Sequence, residues 1–344
     1  MSNSNYQMLE KKFKVDLVVI GLFSNKNIQN LKIHFEHNRK KNIINNLFGY
    51  IGGMSEERVK QILELIEEEK YEYVYIDGSY FGKLAFKIKN TFNKIKIITF
   101  FHNIEYYYSI SGMRKNFKRY AYTFFSTWLN EYLSVRYSDL VIVLNERDSR
   151  LLKKKYNRDS DLLLNVTMKD LYKENDLEEE NFILFVGSNF FGNLSGIKWF
   201  VENISEKISI KTYIIGKGME IEKEILENKN VKVLGTVEDI SEYYYKAKLI
   251  IAPIFYGGGM KVKIAEALMF GKRILGTKEA FEGYVRDSRV LIEVNTAEEF
   301  ITFLKDELLK KNTYEEKKIS RRIFLENYYL EKKSKILIEK ILEL

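Results

Sequence analysis

Residues 257–268 carry the pattern in this chain that best suits chemistry with a phosphate. The stretch reads Gly-Gly-Gly-Met-Lys-Val-Lys-Ile-Ala-Glu-Ala-Leu and follows a buried-type apolar run over 249–252. Because glycine has no Cβ, its backbone can approach a ligand closely. A helix predicted to begin at about Met260 would direct its unpaired N–H groups and its positive dipole end at the same place. Lys261 and Lys263 add positive charge, so the stretch predicts an anion site.

Glu266 adds a carboxylate to this pattern. It lies three residues after Lys263 and shares one face of the predicted helix with it. Its oxygens suit hydrogen bonds from a ribose diol, and Lys263 suits the charge of a diphosphate. The same spacing also fits an ordinary ion pair on a helix surface. Its position one turn after Gly257, Gly258 and Gly259 favours the binding site.

Two further predicted strands of the second half end in polar turns that contain glycine. The turn residues are Gly187, Ser188 and Asn189 after the strand over 182–186, and Gly235, Thr236 and Val237 after the strand over 231–234. The first turn continues into a glycine-bearing loop over 192–196, and the second offers backbone groups to a nucleobase. Glycine is common after strands, so each turn alone is weak evidence.

His102 directly follows an apolar run over 95–101. Ligands of parallel sheets bind at the carboxyl ends of the strands, which is where this histidine is expected to lie. Asn103 and Glu105 are its polar neighbours, and three tyrosines come next. A lone histidine is more often structural, but the position at the end of a strand favours a functional role.

The composition excludes several classes of site. The 344 residues contain no cysteine and three histidines, which excludes disulfides, thiol catalysis and cysteine-bound zinc and disfavours a histidine-rich metal site. No Asp-x-Asp follows a predicted strand, so no metal is expected. No apolar run reaches the roughly 18 residues of a membrane span, and the polar first residues lack a signal-peptide core. A cytoplasmic protein is expected.

Positive charge is concentrated in the first half of the chain. Residues 1–170 hold 28 Lys and Arg against 19 Asp and Glu, whereas the rest hold 28 against 29. This asymmetry favours an anionic partner, such as a membrane surface, although ordinary solubility charge explains it equally well. No nucleic-acid motif accompanies the charge, so no nucleic-acid partner is expected.

Residues 113–137 combine Arg114, Lys115, Lys118 and Arg119 with many aromatics. They predict a helix that packs through its aromatics and leaves its basic turn free for lipid headgroups.

Short β-branched runs alternate with longer amphipathic stretches in two series, which predicts two doubly wound parallel-sheet domains. The predicted strands cover 15–20, 73–76, 95–101 and 140–144, then 182–186, 212–215, 231–234, 249–252, 273–275 and 290–294. We predict a first domain over 1–167, a polar linker over 168–181, a second domain over 182–313, and C-terminal helices over 314–344 that pack back across the domains. Strand ends of two such domains would line one cleft.

These segments together resemble the GT-B glycosyltransferases of family 4, also called group 1. The matching pieces are residues 100–106, 138–148, 185–188, 196–203 and 257–268, and the last is the most specific. The resemblance implies a hexosyltransferase that moves a sugar from a nucleotide sugar, UDP- or GDP-linked, with retention and without a metal or other cofactor. It places the nucleotide sugar in the second domain, with Glu266 on the ribose and the glycine loop on the diphosphate and sugar. His102 would be catalytic, with Asn103 and Glu105 on the acceptor side.

The resemblance also implies partners and a setting. The acceptor would be a saccharide, a lipid-linked glycan or a protein-linked glycan, in the synthesis of a surface polysaccharide or glycoconjugate. The enzyme would be peripheral at the inner face of the membrane, alone or in a homo- or hetero-oligomer.

Three departures from the family pattern keep an alternative open. Gly258 stands where the family has a glutamate, eight residues before Glu266. The family's Arg and Lys after the first strand of the second domain are not evident around 188–196, which shifts their role to Lys261 and Lys263. The usual opening strand and glycine-rich acceptor loop have no counterpart before 15–20. The alternative is a non-catalytic GT-B-like subunit that binds a partner enzyme or an acceptor.

Overall fold

The computed structural model describes residues 2–21, 30–36, 39–113, 117–307 and 313–344. They divide into two compact units, one formed by Met1–Asn165 with Ser334–Leu344 and the other by Val166–Lys333. Both are α/β units with parallel sheets. The predicted linker over 168–181 falls in the second unit, and residues 169–180 contain neither helix nor strand.

The first unit holds two parallel sheets. Its strands are β1 Leu17–Ile20, β2 Leu31–Phe35, β3 Tyr73–Ile76, β4 Lys96–Phe101, β5 Leu140–Val143 and β6 Leu162–Leu163. The first two strands form one sheet and the other four form a second in the order β3-β4-β5-β6. Residues Ile97–Phe101 of β4 and all of β5 are buried, as expected for strands covered on both faces. β2 and β6 were missed by sequence analysis.

Seven helices accompany these strands: α1 Ser2–Leu9, α2 Arg39–Leu47, α3 Glu56–Glu69, α4 Gly82–Thr91, α5 Glu105–Met113, α6 Phe117–Tyr137 and α7 Glu146–Tyr156. A short 3-10 turn over Ser79–Phe81 precedes α4. Asn145 caps α7 by accepting the N–H of Asp148, which explains why this helix begins at Glu146. Residues 117–137 of the predicted basic, aromatic stretch form α6, and Met113 at its start ends α5; Arg114 and Lys115 lie outside the described residues.

The second unit is built on one six-stranded parallel sheet. Its strands are β7 Phe182–Val186, β8 Lys211–Ile215, β9 Val231–Gly235, β10 Leu249–Ala252, β11 Ile274–Gly276 and β12 Leu291–Glu293, in the order β12-β11-β10-β7-β8-β9. The chain runs from β7 outwards to β9 and then returns to the other side of β7 to form β10. Neighbours β7 and β10 therefore flank the switch point of the sheet, where α/β folds bind ligands.

The described helices after β7 are α8 Phe191–Asn203, α9 Lys223–Leu226, α10 Ser241–Lys246, α11 Val262–Met269, α12 Ala297–Glu307, α13 Tyr314–Asn327 and α14 Leu330–Leu342. Most of α14 belongs to the first unit, which takes the chain from Ser334 onwards. Short 3-10 turns cover Ser205–Lys207 and Met219–Glu222. The predicted loop over 192–196 was wrong, because these residues lie in α8. A Cβ on Gly196 would lie 1.9 Å from the Pro253 carbonyl oxygen, and one on Gly192 would lie 2.9 Å from that of Tyr256. These glycines let the helix approach the segment after β10.

Candidate functional site

The turn after β7 and the segment after β10 meet at the switch point of the second sheet. Ile183 and Leu184 of β7 pair with Leu249 and Ile250 of β10, so both strands end at the same edge. Their turns carry the predicted residues Gly187, Ser188 and Asn189 on one side and Gly257, Gly258 and Gly259 on the other. The fold thus brings the turn over 187–189 next to the glycine loop over 257–259, as the predicted anion site requires.

The glycine loop adopts backbone conformations that favour glycine. Gly257 has φ 143° and Gly259 has φ 59°, both in the range that L side chains rarely adopt. Helix α11 begins at Val262 with Lys261 as its N-cap, and no side chain caps it. The predicted start at Met260 was therefore two residues early, and the Met260 side chain is buried.

Lys263 is buried beneath the turn after β7. Its Nζ donates to Asn193 Oδ1 at 2.8 Å and lies 4.2 Å from the centre of the Phe185 ring. The same Nζ is 2.9 Å from the position that a Cβ on Gly187 would occupy. Burial lowers the pKa of Lys263 to about 7. An amine thus lies directly under a turn with no side chain between them, and it is charged only in part near pH 7.

Among the described residues, Lys263 and Glu266 form no salt bridge, because Lys263 contacts Asn193 and Glu266 contacts Tyr244, although their charges still attract each other. Lys261 Nζ lies 3.0 Å from Glu279 Oε1, which already compensates its charge. The Tyr244 hydroxyl donates to Glu266 Oε2 at 3.0 Å. Burial raises the pKa of Glu266, although the Tyr244 hydrogen bond opposes this shift.

The remaining predicted residues of the second unit lie along the same edge. The Asn189 amide donates to the Gly218 carbonyl at 3.1 Å, which ties the turn after β7 to the turn after β8. Gly235 ends β9 with φ 69°. Thr236 is exposed and Val237 is half-buried. These last residues are separated from β7 by β8, so they form the outer end of the site.

In the first unit, His102 follows β4 as predicted and lies beside a carboxylate. Its Nε2 is 3.0 Å from Asp77 Oδ1, and Asp77 directly follows β3, the neighbouring strand. The Asn5 amide donates to the same oxygen at 2.9 Å. Asp77 was not predicted from the sequence. Like His102, it is a polar residue that directly follows a strand, so the same reasoning would have indicated it. Nothing in the sequence around Asn5 indicates its role.

Asn103 and Glu105 lie at the start of α5, which is fixed by a buried glutamate. Glu131 is fully buried and accepts the backbone N–H groups of Glu105 and Tyr106 and the hydroxyl of Tyr156. Burial raises the pKa of Glu131 to about 7. Burial and the neighbouring Glu131 raise the pKa of Glu105 to about 7 as well. Because Glu131 accepts three hydrogen bonds, which favour its ionised form, we assign the proton of the pair to Glu105.

Comparison with known proteins identifies the second unit. Residues 180–308 match the family model of glycosyl transferases group 1. The second unit carries a glycosyl transferases group 1 domain. No curated protein matches the sequence.

Solved structures of glycosyltransferases resemble most of this chain in fold. HepE of Anabaena in complex with UDP is 13% identical, covers 83% of this chain and 82% of its own, and has a TM-score of 0.62. WaaG, a glycosyltransferase involved in lipopolysaccharide biosynthesis, is 14% identical with coverages of 95% and 88% and a TM-score of 0.63. A glycosyltransferase from Rickettsia africae is 17% identical with coverages of 89% and 83% and a TM-score of 0.58. The predicted GT-B fold is confirmed.

Two further findings concern metals and membranes. Within the described residues, no group of three or more His, Asp or Glu side chains is placed to hold a metal ion. None of the described helices is long and apolar enough to span a bilayer.

The carboxyl pair of the first unit makes its stability depend on pH. Between pH 4.5 and 7 the folded chain holds protons that the unfolded chain has released, so stability falls as pH rises through this window. We expect Glu105→Gln to stabilise the protein at pH 8 by about 1–2 kcal/mol and to have almost no effect at pH 5. Urea unfolding at both pH values measures this. The exposed Glu72→Gln serves as control, and an equal effect of Glu105→Gln at both pH values contradicts the assignment.

Proposed function

We propose that the chain is a retaining glycosyltransferase that moves a hexose from a nucleoside diphosphate sugar to a saccharide, lipid-linked or protein-linked acceptor. The observation that carries this proposal is the convergence of three anion-binding features at the switch point. They are the glycine loop, the uncapped start of α11 and the buried amine of Lys263. The donor is UDP- or GDP-linked, and structures of HepE with UDP and with UDP-glucose support the first choice.

The diphosphate lies against the turn after β7 and the start of α11. Transfer breaks the bond between the anomeric carbon and a phosphate oxygen and forms a bond from that carbon to an acceptor hydroxyl oxygen. The electron pair of the broken bond leaves with the nucleoside diphosphate, and the hydroxyl proton is released. Helix N–H groups and the Lys263 ammonium stabilise the negative charge that develops on the leaving group. No resident cofactor or metal ion has a part in this proposal.

Lys263 takes the place of the basic residues that the family carries after the first strand of this domain. It reaches the same turn from α11, because Gly187 leaves room for its Nζ. Lys261 is less suited to this role because Glu279 compensates its charge. With Gly258 in place of a glutamate, contacts to the sugar at that position come from the backbone.

Glu266 is assigned to the ribose. Tyr244 holds one carboxylate oxygen, Oε2, and so fixes the orientation of the group. The second oxygen, Oε1, remains to accept from the ribose diol. Gly235, Thr236 and Val237 then serve the nucleobase at the outer end of the site.

The first unit is assigned to the acceptor, with His102 as its catalytic residue. An exposed apolar surface of this unit supports an anionic membrane as a partner. Helices α2 and α6 present Leu47 and Phe125, which are 77% and 64% exposed. The Tyr122 hydroxyl donates to the Ile43 carbonyl at 2.7 Å, so the two helices lie side by side.

Charge supports the same partner. Helix α2 contains three basic residues and no acidic one, and α6 contains Lys118 and Arg119 with no acidic residue before Glu131. Helices whose sequences combine basic and apolar residues suit the boundary between headgroups and acyl chains of an anionic bilayer. We assign the enzyme to the cytoplasmic face of such a membrane, in the synthesis of a surface polysaccharide or glycoconjugate.

Donor binding is tested by thermal shift with UDP and GDP. A ligand at about 100 times its Kd stabilises the folded state by about 2.7 kcal/mol. We expect Lys263→Met and Glu266→Gln to weaken binding about 10- to 100-fold, because each removes a charged hydrogen-bonding group. Lys232→Met, an exposed lysine on β9, serves as control.

The outcome separates the alternatives. Absence of a shift with any nucleoside diphosphate contradicts the proposed donor site. A shift without transfer or hydrolysis of any nucleotide sugar in a panel would instead favour the non-catalytic subunit.

Membrane binding is tested by sedimentation with phosphatidylglycerol vesicles. Each apolar side chain withdrawn from the bilayer loses about 1.5 kcal/mol or more. We therefore expect the double variant Leu47→Ser, Phe125→Ser to bind at least about 100-fold more weakly than the wild type. Ile225→Ser removes an equally exposed apolar side chain of the second unit and serves as control. Equal loss in the control, or no binding by the wild type, contradicts the assignment of this surface.

A further inference from the structure

Three side chains of the first unit form a polar chain at the carboxyl edge of its larger sheet. Asn5 of α1 donates to Asp77 Oδ1 at 2.9 Å, and His102 Nε2 lies 3.0 Å from the same oxygen. Strands β3 and β4 pair in parallel register and deliver Asp77 and His102 to neighbouring positions. Asn5 is only 4% exposed, so its amide is committed to this contact.

The contact determines which ring nitrogen carries the proton. An ionised carboxylate only accepts hydrogen bonds, so Nε2 of a neutral His102 must be the protonated nitrogen. Nδ1 then carries the lone pair. Within the described part of the chain, Nδ1 has no hydrogen-bond partner. The ring is further held edge-on by Phe100, with 4.9 Å between the ring centres.

We propose that Asp77 is a positioning residue for His102, that it holds the ring as the Nε2–H tautomer with Nδ1 as the atom offered to substrate, and that Asn5 fixes the Asp77 carboxylate. The role of His102 toward substrate rests on the proposed transferase function. The positioning itself does not, because it concerns the free protein.

The geometry also defines the kind of group that His102 can meet. A lone pair at Nδ1 accepts a hydrogen bond and repels the lone pairs of a group that brings no proton. The matching ligand group is therefore a neutral hydroxyl.

The tautomer is measured directly by long-range proton–nitrogen NMR of the ring signals in the full chain. The sequence has only three histidines, and His34 provides an internal reference. Its Nε2 lies 2.7 Å from the Gly21 carbonyl oxygen, which can only accept, so His34 is also an Nε2–H tautomer. At a pH where the ring is neutral, we expect His102 to match His34 in the wild type and in Asp159→Ala. In Asp77→Ala we expect the His102 signals to shift toward a mixture of both tautomers.

Activity provides the second readout. We expect Asp77→Ala to lower kcat about 10- to 100-fold, as is found when the partner that orients a functional histidine is removed. Asn5→Ala should lower kcat less, and the thermal shift with nucleoside diphosphate should be unchanged in both variants. Loss of kcat together with an unchanged tautomer would overturn the proposal.

The NMR result is independent of the transferase assignment. An Nδ1–H tautomer in the wild type overturns the positioning role even if Asp77→Ala does not fold. A wild type that transfers no sugar, but shows the Nε2–H tautomer that Asp77→Ala loses, contradicts the proposed function and leaves the positioning of His102 supported.

Discussion

The candidate donor site depends on one buried amine. Lys263 lies between the Phe185 ring and the Asn193 amide, without a carboxylate in contact among the described residues. Removing an ammonium from water is costly unless an opposite charge compensates it. Burial therefore lowers the pKa of Lys263 in the free protein, because the charged form is destabilised relative to the neutral amine. A bound diphosphate would supply the missing charge, so the unfavourable burial becomes a source of affinity for anions.

Glycines make this arrangement sterically possible. A Cβ on Gly187 would lie 2.8 Å from Asn193 Cγ and 2.9 Å from Lys263 Nζ, so a side chain there would displace both groups. Gly196 has to lack a side chain because its Cβ would lie 1.9 Å from the Pro253 carbonyl oxygen. Gly257 and Gly259 supply the positive φ angles of the loop. Backbone N–H groups and the amine can thus approach the same ligand atoms, which side chains at these positions would prevent.

The sequence predicted the second unit well because its signals are local. Buried β-branched runs located β7 and β10 to the residue, and the glycine loop with Lys263 and Glu266 indicated an anion site through its residue types and spacing alone. The partners of these residues could not be predicted. Asn193 is 70 residues from Lys263 and Tyr244 is 22 residues from Glu266, and no periodicity reports which side chains meet across such distances.

The first unit was harder to predict for a related reason. β2 and β6 are short strands, and their sequences show no hydrophobic pattern strong enough to distinguish them from loops. Glu131 lies on a helix rich in aromatic residues, and the sequence gives no sign that this charged side chain is buried. Asp77 was visible in principle, because it follows a strand directly. Its contact with His102 could not be predicted, because that contact depends on how β3 and β4 pair.

The most direct test of the account is the number of protons taken up when UDP binds at pH 8. Free Lys263, with a pKa of about 7, is mostly neutral at this pH, and a bound diphosphate raises its pKa and recharges it. Titration calorimetry in two buffers of different ionisation enthalpy measures this uptake. The account predicts uptake of close to one proton by the wild type, its loss in Lys263→Met, and wild-type affinity that weakens as pH rises above 7. Binding without proton uptake, or equal uptake in Lys263→Met, would contradict it.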